Sequence, residues 1–207
     1  MIKNLLFDLG GVVMNIRREN CVRAFEALGM TDANNLLGEY EQAGVFAGVE
    51  NGSLSAAEFR DEIRRIIGRD IADDEIDAAF CKFLTGIPEE RLKALEDIHG
   101  RFGMYVVSNT NPIMWNSEIA RQFSKLGHDI NYYFDGTVTS FDARAMKPDA
   151  RIFEKVVADF GIRPDETLFF DDSKANCEAA EKLGFRTVHV APGTEFMDFI
   201  KDYDFSK

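Results

Sequence analysis

Four short polar clusters, far apart in the chain, carry the side chains able to do chemistry: Asp8, Ser108-Asn109, Lys147 and Asp171-Asp172. Asp8 ends an apolar run and is followed by Leu9, Gly10 and Gly11. Asp8 and Asp172 are hard oxygen donors. With a backbone carbonyl freed near Gly10 they make a partial octahedral Mg²⁺ site that waters and substrate complete, and Asp171 reaches the ion directly or through a water. Carboxylates held this close repel one another, so a cation or the Lys147 ammonium is needed to keep them ionised. The Ser108 hydroxyl, the Asn109 amide and nearby backbone N–H groups add neutral donors. Pro112 starts a helix just beyond them, and its N-terminal dipole favours an anion. Metal, lysine and neutral donors around one carboxylate suit a phosphoryl group attacked by that carboxylate. A covalent aspartyl-phosphate forms first and is then hydrolysed.

Each cluster has a plainer reading. A strand-terminal Asp caps a turn, Ser-Asn is a turn, Lys147-Pro148 starts a helix, and Asp-Asp-Ser is an N-cap. What favours the chemical reading is the elements that must carry them. Asn4 to Asp8 reads as a short buried strand. Met104–Val107, Gly136–Thr139, Thr167–Phe170 and Thr187–Val190 are further strands, separated by helices that start near Pro112, Pro148 and Ser173. Strands alternating with helices predict an α/β fold with a Rossmann-like, doubly wound parallel sheet. In such a sheet the carboxyl ends of the strands share one edge, so the four clusters converge on one crevice.

Between the first strand and the rest lies a helical block. Val22, Phe25 and Leu28 share a face of a helix over Arg18–Leu28. Asn34 to Val49, with its glycines, reads as a broken helix. Ser55 and Glu58 form a capping box before Phe59, Ile63, Ile66 and Ile67, and Asp73 caps a last helix. The predicted organisation is a catalytic core of residues 1–15 and 87–207 with an inserted α-helical cap of residues 16–86, joined by linkers near Met14–Arg18 and Thr85–Pro88. The Gly44 to Asn51 segment, with Phe46 and Glu50, is a candidate crevice-facing stretch. It reads more simply as an ordinary cap loop. Arg144 reads as a surface residue, His189 as packing in a strand, and Asp198–Lys207 as a solvated terminus.

Composition limits the classes. The 207 residues carry a formal net charge of −12 with no Lys/Arg run, which argues against a nucleic-acid or anionic-membrane surface. No apolar run approaches the ~18 residues of a membrane span, and no signal-peptide pattern opens the chain. The cysteines, Cys21, Cys81 and Cys177, are widely spaced and read as reduced thiols of a cytoplasmic protein. The partner is then a small phosphorylated metabolite. Nothing in the sequence sets the oligomeric state.

FDLGGVV, VVSNTN, MKPDARIF and LFFDDSKAN resemble the four motifs of the haloacid dehalogenase (HAD) superfamily, and the resemblance covers essentially the whole chain, cap included. Within it the chain is similar to bacterial sugar-phosphate phosphatases of the α-D-glucose-1-phosphate phosphatase type. The resemblance implies that Asp8 is the nucleophile, that Ser108 and Asn109 hold the transferring phosphoryl group, and that Lys147 steadies both. It implies that Asp8, the Gly10 carbonyl and Asp172 hold Mg²⁺ with Asp171 in support, and that Asn176 acts behind them. One position departs from the superfamily pattern. Most HAD phosphatases carry a second Asp two residues after the nucleophile, which protonates the leaving oxygen and then activates water; this chain has Gly10. A leaving group of low pKa needs less protonation, which favours sugar 1-phosphates or aryl phosphates. The alternatives are a dehalogenase, which needs no metal and favours an aromatic or apolar residue at position 10, and a degenerate domain that binds a phosphorylated ligand without turnover.

Overall fold

The computed structural model describes residues 1–38, 42–202 and 205. In chain order the elements are β1 (Asn4–Phe7), β2 (Asn15–Ile16), α1 (Arg18–Leu28), α2 (Ala33–Leu36), α3 (Gly44–Glu50), α4 (Ala56–Ile67), α5 (Asp73–Cys81), β3 (Leu84–Gly86), α6 (Glu89–Ile98), β4 (Gly103–Ser108), α7 (Pro112–Met114), α8 (Ala120–Phe123), α9 (Ile130–Tyr133), β5 (Gly136–Thr139), α10 (Ser140–Ala143), α11 (Ala150–Phe160), β6 (Thr167–Asp171), α12 (Lys174–Lys182), β7 (Arg186–His189) and α13 (Phe196–Asp202). A π-helical turn over Trp115–Ile119 joins α7 to α8.

The five-stranded sheet has the order β5-β4-β1-β6-β7, and every pairing is parallel. Its central strands are apolar on both faces because helices cover both. Leu5, Leu6 and Phe7 of β1 and Leu168, Phe169 and Phe170 of β6 are all fully buried. From β1 the chain builds outward through β4 and β5 on one side, then returns to build β6 and β7 on the other. The place where the direction of building changes lies at β1, and the carboxyl edge there is where open α/β sheets form a crevice.

The helices α1 to α5 sit between β2 and β3, which pair antiparallel as a short ribbon. This ribbon stands where plain linkers were expected. Inside the helical block Phe25, Phe46, Phe59 and Phe80 are fully buried with ring centroids 5.0–6.0 Å apart, the edge-to-face and stacked geometry that aromatic quadrupoles favour. Phe46 is therefore core of this helical block. The capping box at Ser55 and Glu58 forms as read. Ile66 does not join the apolar face of α4 and is 40% exposed, because Phe59 and Ile63 already fill the side turned to the core.

Further readings change. Pro148 does not begin a helix: the Lys147-Pro148 peptide is cis, and α11 starts at Ala150 with the Asp149 carboxylate accepting from Arg151 N. His189 is exposed and its ring meets the Asp172 carbonyl at 2.9 Å rather than packing. Within the expected solvated tail, Phe205 packs against Phe102 with ring centroids 4.7 Å apart and planes tilted by 42°. Residues 203, 204, 206 and 207 of that tail, and residues 39–41 of the expected broken helix, lie outside the described residues. Within the described part of that stretch, α2 and α3 are separate helices. No described helix is long and apolar enough to cross a membrane.

Candidate active site

The strand ends deliver the polar clusters to one crevice. Asp8 follows β1 directly, Ser108 is the last residue of β4, and Asp171 is the last residue of β6. Asp8, Leu9, Gly10, Ser108, Asn109, Thr110, Lys147, Asp172 and Asn176 line one cavity, together with Gln42, Glu50, Phe83 and Leu84 from the segment between β2 and the end of β3.

Lys147 is the hub. Its ammonium is buried, 2.8 Å from Asp8 Oδ1 and 2.7 Å from Asp171 Oδ2. Its backbone is held as firmly: Asn109 Oδ1 accepts from Lys147 N (2.8 Å) and Asn109 Nδ2 donates to Lys147 O (2.9 Å). The Asn109 amide thus spends both ends on placing Lys147, keeping one amide hydrogen and its main chain for a ligand. Asp171 is fully buried. Its Oδ1 accepts from Ser173 N (2.8 Å) and from Asn176 Nδ2 (3.0 Å), while its Oδ2 takes the lysine. Both Asp171 oxygens are engaged inside the protein, and this fixes the carboxylate that fixes the lysine.

Asp8 Oδ1 also accepts from Leu9 N at 2.7 Å. Burial pushes the Asp8 carboxyl up to about 8; Lys147 works against this, and Asp171 and Asp172 add to it. For Lys147, burial alone would lower the ammonium, but Asp171 and then Asp8 outweigh it and hold it above its ordinary range. Asp8, Asp171 and Asp172 offer oxygens that lie within 4.8 Å of one another. Among them stands one ammonium, so the site is short of positive charge by about what a divalent cation supplies. Hard oxygen donors of this kind suit Mg²⁺.

Gly11 was read only as part of a turn, and it does more. It sits at φ +78°, and a Cβ there would overlap the Asp172 carboxylate. Gly11 therefore lets the β1 loop close on Asp172. Sequence reasoning also missed Ser140. Its hydroxyl accepts from Thr110 N (3.0 Å) and is shared between the carbonyls of Thr110 (3.0 Å) and Glu50 (2.7 Å). That hydroxyl ties the end of α3 to the loop after β4. Gly52 sits beside it at φ +72°, where a Cβ would overlap the Phe141 carbonyl. Arg144 is exposed and is not among the lining residues. All three cysteines are free.

The chain matches the family described as hydrolase, haloacid dehalogenase-like hydrolase, over residues 2–184. Among curated proteins it is 35% identical over 196 residues to a D-ribitol-5-phosphate phosphatase of Bacteroides thetaiotaomicron, covering 95% of each chain. A crystal structure of a HAD family enzyme from the same organism, in complex with magnesium and inorganic phosphate, superposes with a TM-score of 0.89 at 37% identity and covers 95% of this chain and 98% of that one. A HAD-like family hydrolase of Porphyromonas gingivalis superposes with a TM-score of 0.90 at 34% identity, covering 97% of both chains. With the four motifs gathered on one sheet edge and these relatives matched along nearly their whole length, the chain belongs to the haloacid dehalogenase-like hydrolases.

Proposed function

We propose that this protein is a Mg²⁺-dependent phosphatase that hydrolyses a small phosphorylated metabolite, a sugar or polyol phosphate, through an aspartyl-phosphate on Asp8. The observation that carries it is the buried ion triad in which Lys147 bridges Asp8 and Asp171 beside Asp172. A nucleophilic carboxylate held against an ammonium, in a pocket still short of positive charge, fits a dianionic ester and a divalent cation.

Asp8, the Gly10 carbonyl and Asp172 would hold Mg²⁺. Bound there, it supplies charge neutralisation to the phosphoryl oxygens and keeps the carboxylates ionised. The chain's residues do the rest. Lys147 orients the Asp8 oxygen and lowers its proton affinity. Ser108, the spare hydrogen of Asn109 and the adjoining main chain hold the phosphoryl group in line with Asp8. Asp171, secured by Ser173 and Asn176, keeps Lys147 in place and supports the metal site from behind. The family and the magnesium and phosphate complex of a relative support this reading. The likeness to a D-ribitol-5-phosphate phosphatase extends the candidate substrates from sugar phosphates to polyol phosphates.

The test is phosphate release from a panel of sugar and polyol phosphates, with Mg²⁺ and with a chelator, for the native protein and Asp8→Asn. Metal-dependent release lost in Asp8→Asn is expected. Halide release from a 2-haloacid without metal would instead establish a dehalogenase. Thermal stabilisation by these esters with no turnover would establish a binding protein, the reading that Gly10 favours.

A further inference from the structure

Gly10 leaves the crevice without an acid two residues beyond Asp8, yet a second carboxyl lines the same crevice from the cap. Glu50 is the last residue of α3 and is only 7% exposed. Its main-chain carbonyl is pinned by Ser140 Oγ at 2.7 Å, so the residue is tethered to the loop that follows β4 and carries Asn109 and Thr110. Its side chain has no hydrogen-bond or ion-pair partner among the described residues. A carboxyl buried to this degree without a partner is costly unless it stays neutral or a ligand completes it. Burial alone pushes it up to about 8. The ionisable groups around it are few. Asp8, Lys147 and Asp172 line the same cavity. Cys21 on α1 feels the Glu50 charge, but burial holds that thiol far above its ordinary range. Attack by Asp8 on phosphorus expels the leaving oxygen on the side opposite Asp8. Of the carboxyls that line the cavity, Asp8 and Asp172 belong to the cation cluster, and Glu50 is the one that stands outside it.

We propose that Glu50 is the general acid and base of the hydrolysis, delivering from the cap the proton that Gly10 cannot carry. The inference rests on the phosphatase reading above. In the first step Asp8 Oδ bonds to phosphorus, the ester P–O bond breaks, and protonated Glu50 gives its proton to the departing oxygen, which leaves as the alcohol. In the second step Glu50, now a carboxylate, takes a proton from water. The water oxygen bonds to phosphorus and the Asp8–phosphorus bond breaks, releasing phosphate and restoring both carboxyls. With an acid in place, substrates are not confined to good leaving groups.

The test compares two esters of similar shape and different leaving-group pKa, p-nitrophenyl phosphate and phenyl phosphate, in native protein, Glu50→Gln and Asp8→Asn. Loss of the acid strips rate only from the ester whose leaving oxygen needs a proton. For Glu50→Gln, kcat/KM is expected to stay within about threefold of native for p-nitrophenyl phosphate and to fall by roughly tenfold or more for phenyl phosphate. Loss of the base slows the second step for both. Glu50→Gln is therefore expected to release p-nitrophenolate in a burst of one equivalent per protein before a slow steady state. A common factor on both esters with no burst marks a structural or substrate-holding role and overturns the proposal. Should Glu50→Gln fail to fold, as judged by its thermal transition, Glu50→Asp, which withdraws the acid by one methylene, is read by the same ratio. A native protein active on both esters and dead as Asp8→Asn, with a flat Glu50→Gln response, sinks this inference alone. A native protein inactive on both esters with Mg²⁺ overturns the phosphatase reading and this inference together.

Discussion

Lys147 Nζ lies 2.8 Å from Asp8 Oδ1 in a buried pair whose side chains are 1% and 11% exposed. A buried charge is tolerated only while its partner is present. Removing one member leaves the other desolvated and uncompensated, which costs about 3–5 kcal/mol. Lys147→Met strands both Asp8 and Asp171. It is expected to lower the unfolding free energy measured in urea by that order and to reduce phosphate release by roughly a hundredfold or more. A variant of native stability would show that Lys147 does not hold the two carboxylates.

Removing the opposite member acts differently. Asp8→Asn leaves Lys147 paired with Asp171 and takes one of three crowded carboxylates away. Burial and the neighbouring carboxylates already push the Asp8 proton affinity up. The variant is therefore expected to unfold at or above the native temperature in chelator, while turnover falls by about a thousandfold or more. Mg²⁺ at ~100 times its Kd is expected to stabilise the native protein by about 2.7 kcal/mol, and Asp8→Asn much less. Calorimetry with and without Mg²⁺ checks both statements. Equal metal stabilisation of the two proteins would remove Asp8 from the ligand set.

The adjoining glycines separate by geometry. At Gly10 a Cβ would lie 3.5 Å from Ile16 Cγ2, an ordinary contact, whereas at Gly11 it would overlap the Asp172 carboxylate from a backbone at φ +78°. Gly10→Ala is expected to keep native stability and metal response. Gly11→Ala is expected to lose stability by about 1–3 kcal/mol through backbone strain and to lose the Mg²⁺-induced shift. Because the Gly10 position has room, Gly10→Asp built into Glu50→Gln is expected to restore the phenyl phosphate rate toward native. No recovery would show that an acid at this position cannot reach the leaving oxygen. Thermal scans and kcat/KM on both esters read these outcomes.

Much of this was legible in the residues. Period-two and buried apolar runs mark strands whatever their neighbours, and polar clusters at their ends announce an edge that a parallel sheet must gather. Asp8, Ser108, Asn109, Lys147 and Asp172 accordingly line one crevice, and Asp171 lies directly behind it. What stayed hidden was set by contacts between distant segments. The hold of Asn109 on the Lys147 backbone, the Ser140 tie to Glu50 and the overlap that reserves position 11 for glycine each join residues remote in the chain, and no local pattern encodes such pairs. Phe46 and Glu50 sit in one short helix and both look eligible for the crevice. Only the packing of Phe25, Phe59 and Phe80 claims the first and leaves the second lining the cavity. The Ile66 and Pro148 readings failed because helix period and proline preference are local rules, and the core and the Lys147 loop outrank them.

Glu50 also sets a pH signature on stability, in the same direction as that of Asp8. Burial raises its proton affinity from the ordinary value of 4.5 to about 8. Below pH 4.5 both the folded and the unfolded chain hold this proton, and the contribution is fully present. Between 4.5 and about 8 the unfolded chain has released the proton while the folded chain keeps it. Stability then falls with rising pH, and above about 8 the loss is complete because the folded protein must carry a buried charge. At about 1.4 kcal/mol per unit, the window amounts to roughly 5 kcal/mol. Glu50→Gln lacks the proton and the loss. The difference in unfolding free energy between the two proteins, measured in urea with chelator at pH 5 and at pH 8.5, is therefore expected to swing toward Glu50→Gln by several kcal/mol at the higher pH. Asp8 titrates in the same direction but is present in both proteins, so the difference isolates Glu50. A difference that does not change between the two pH values would mean that Glu50 is ionised and satisfied in the native protein, and it could not then serve as the proton donor.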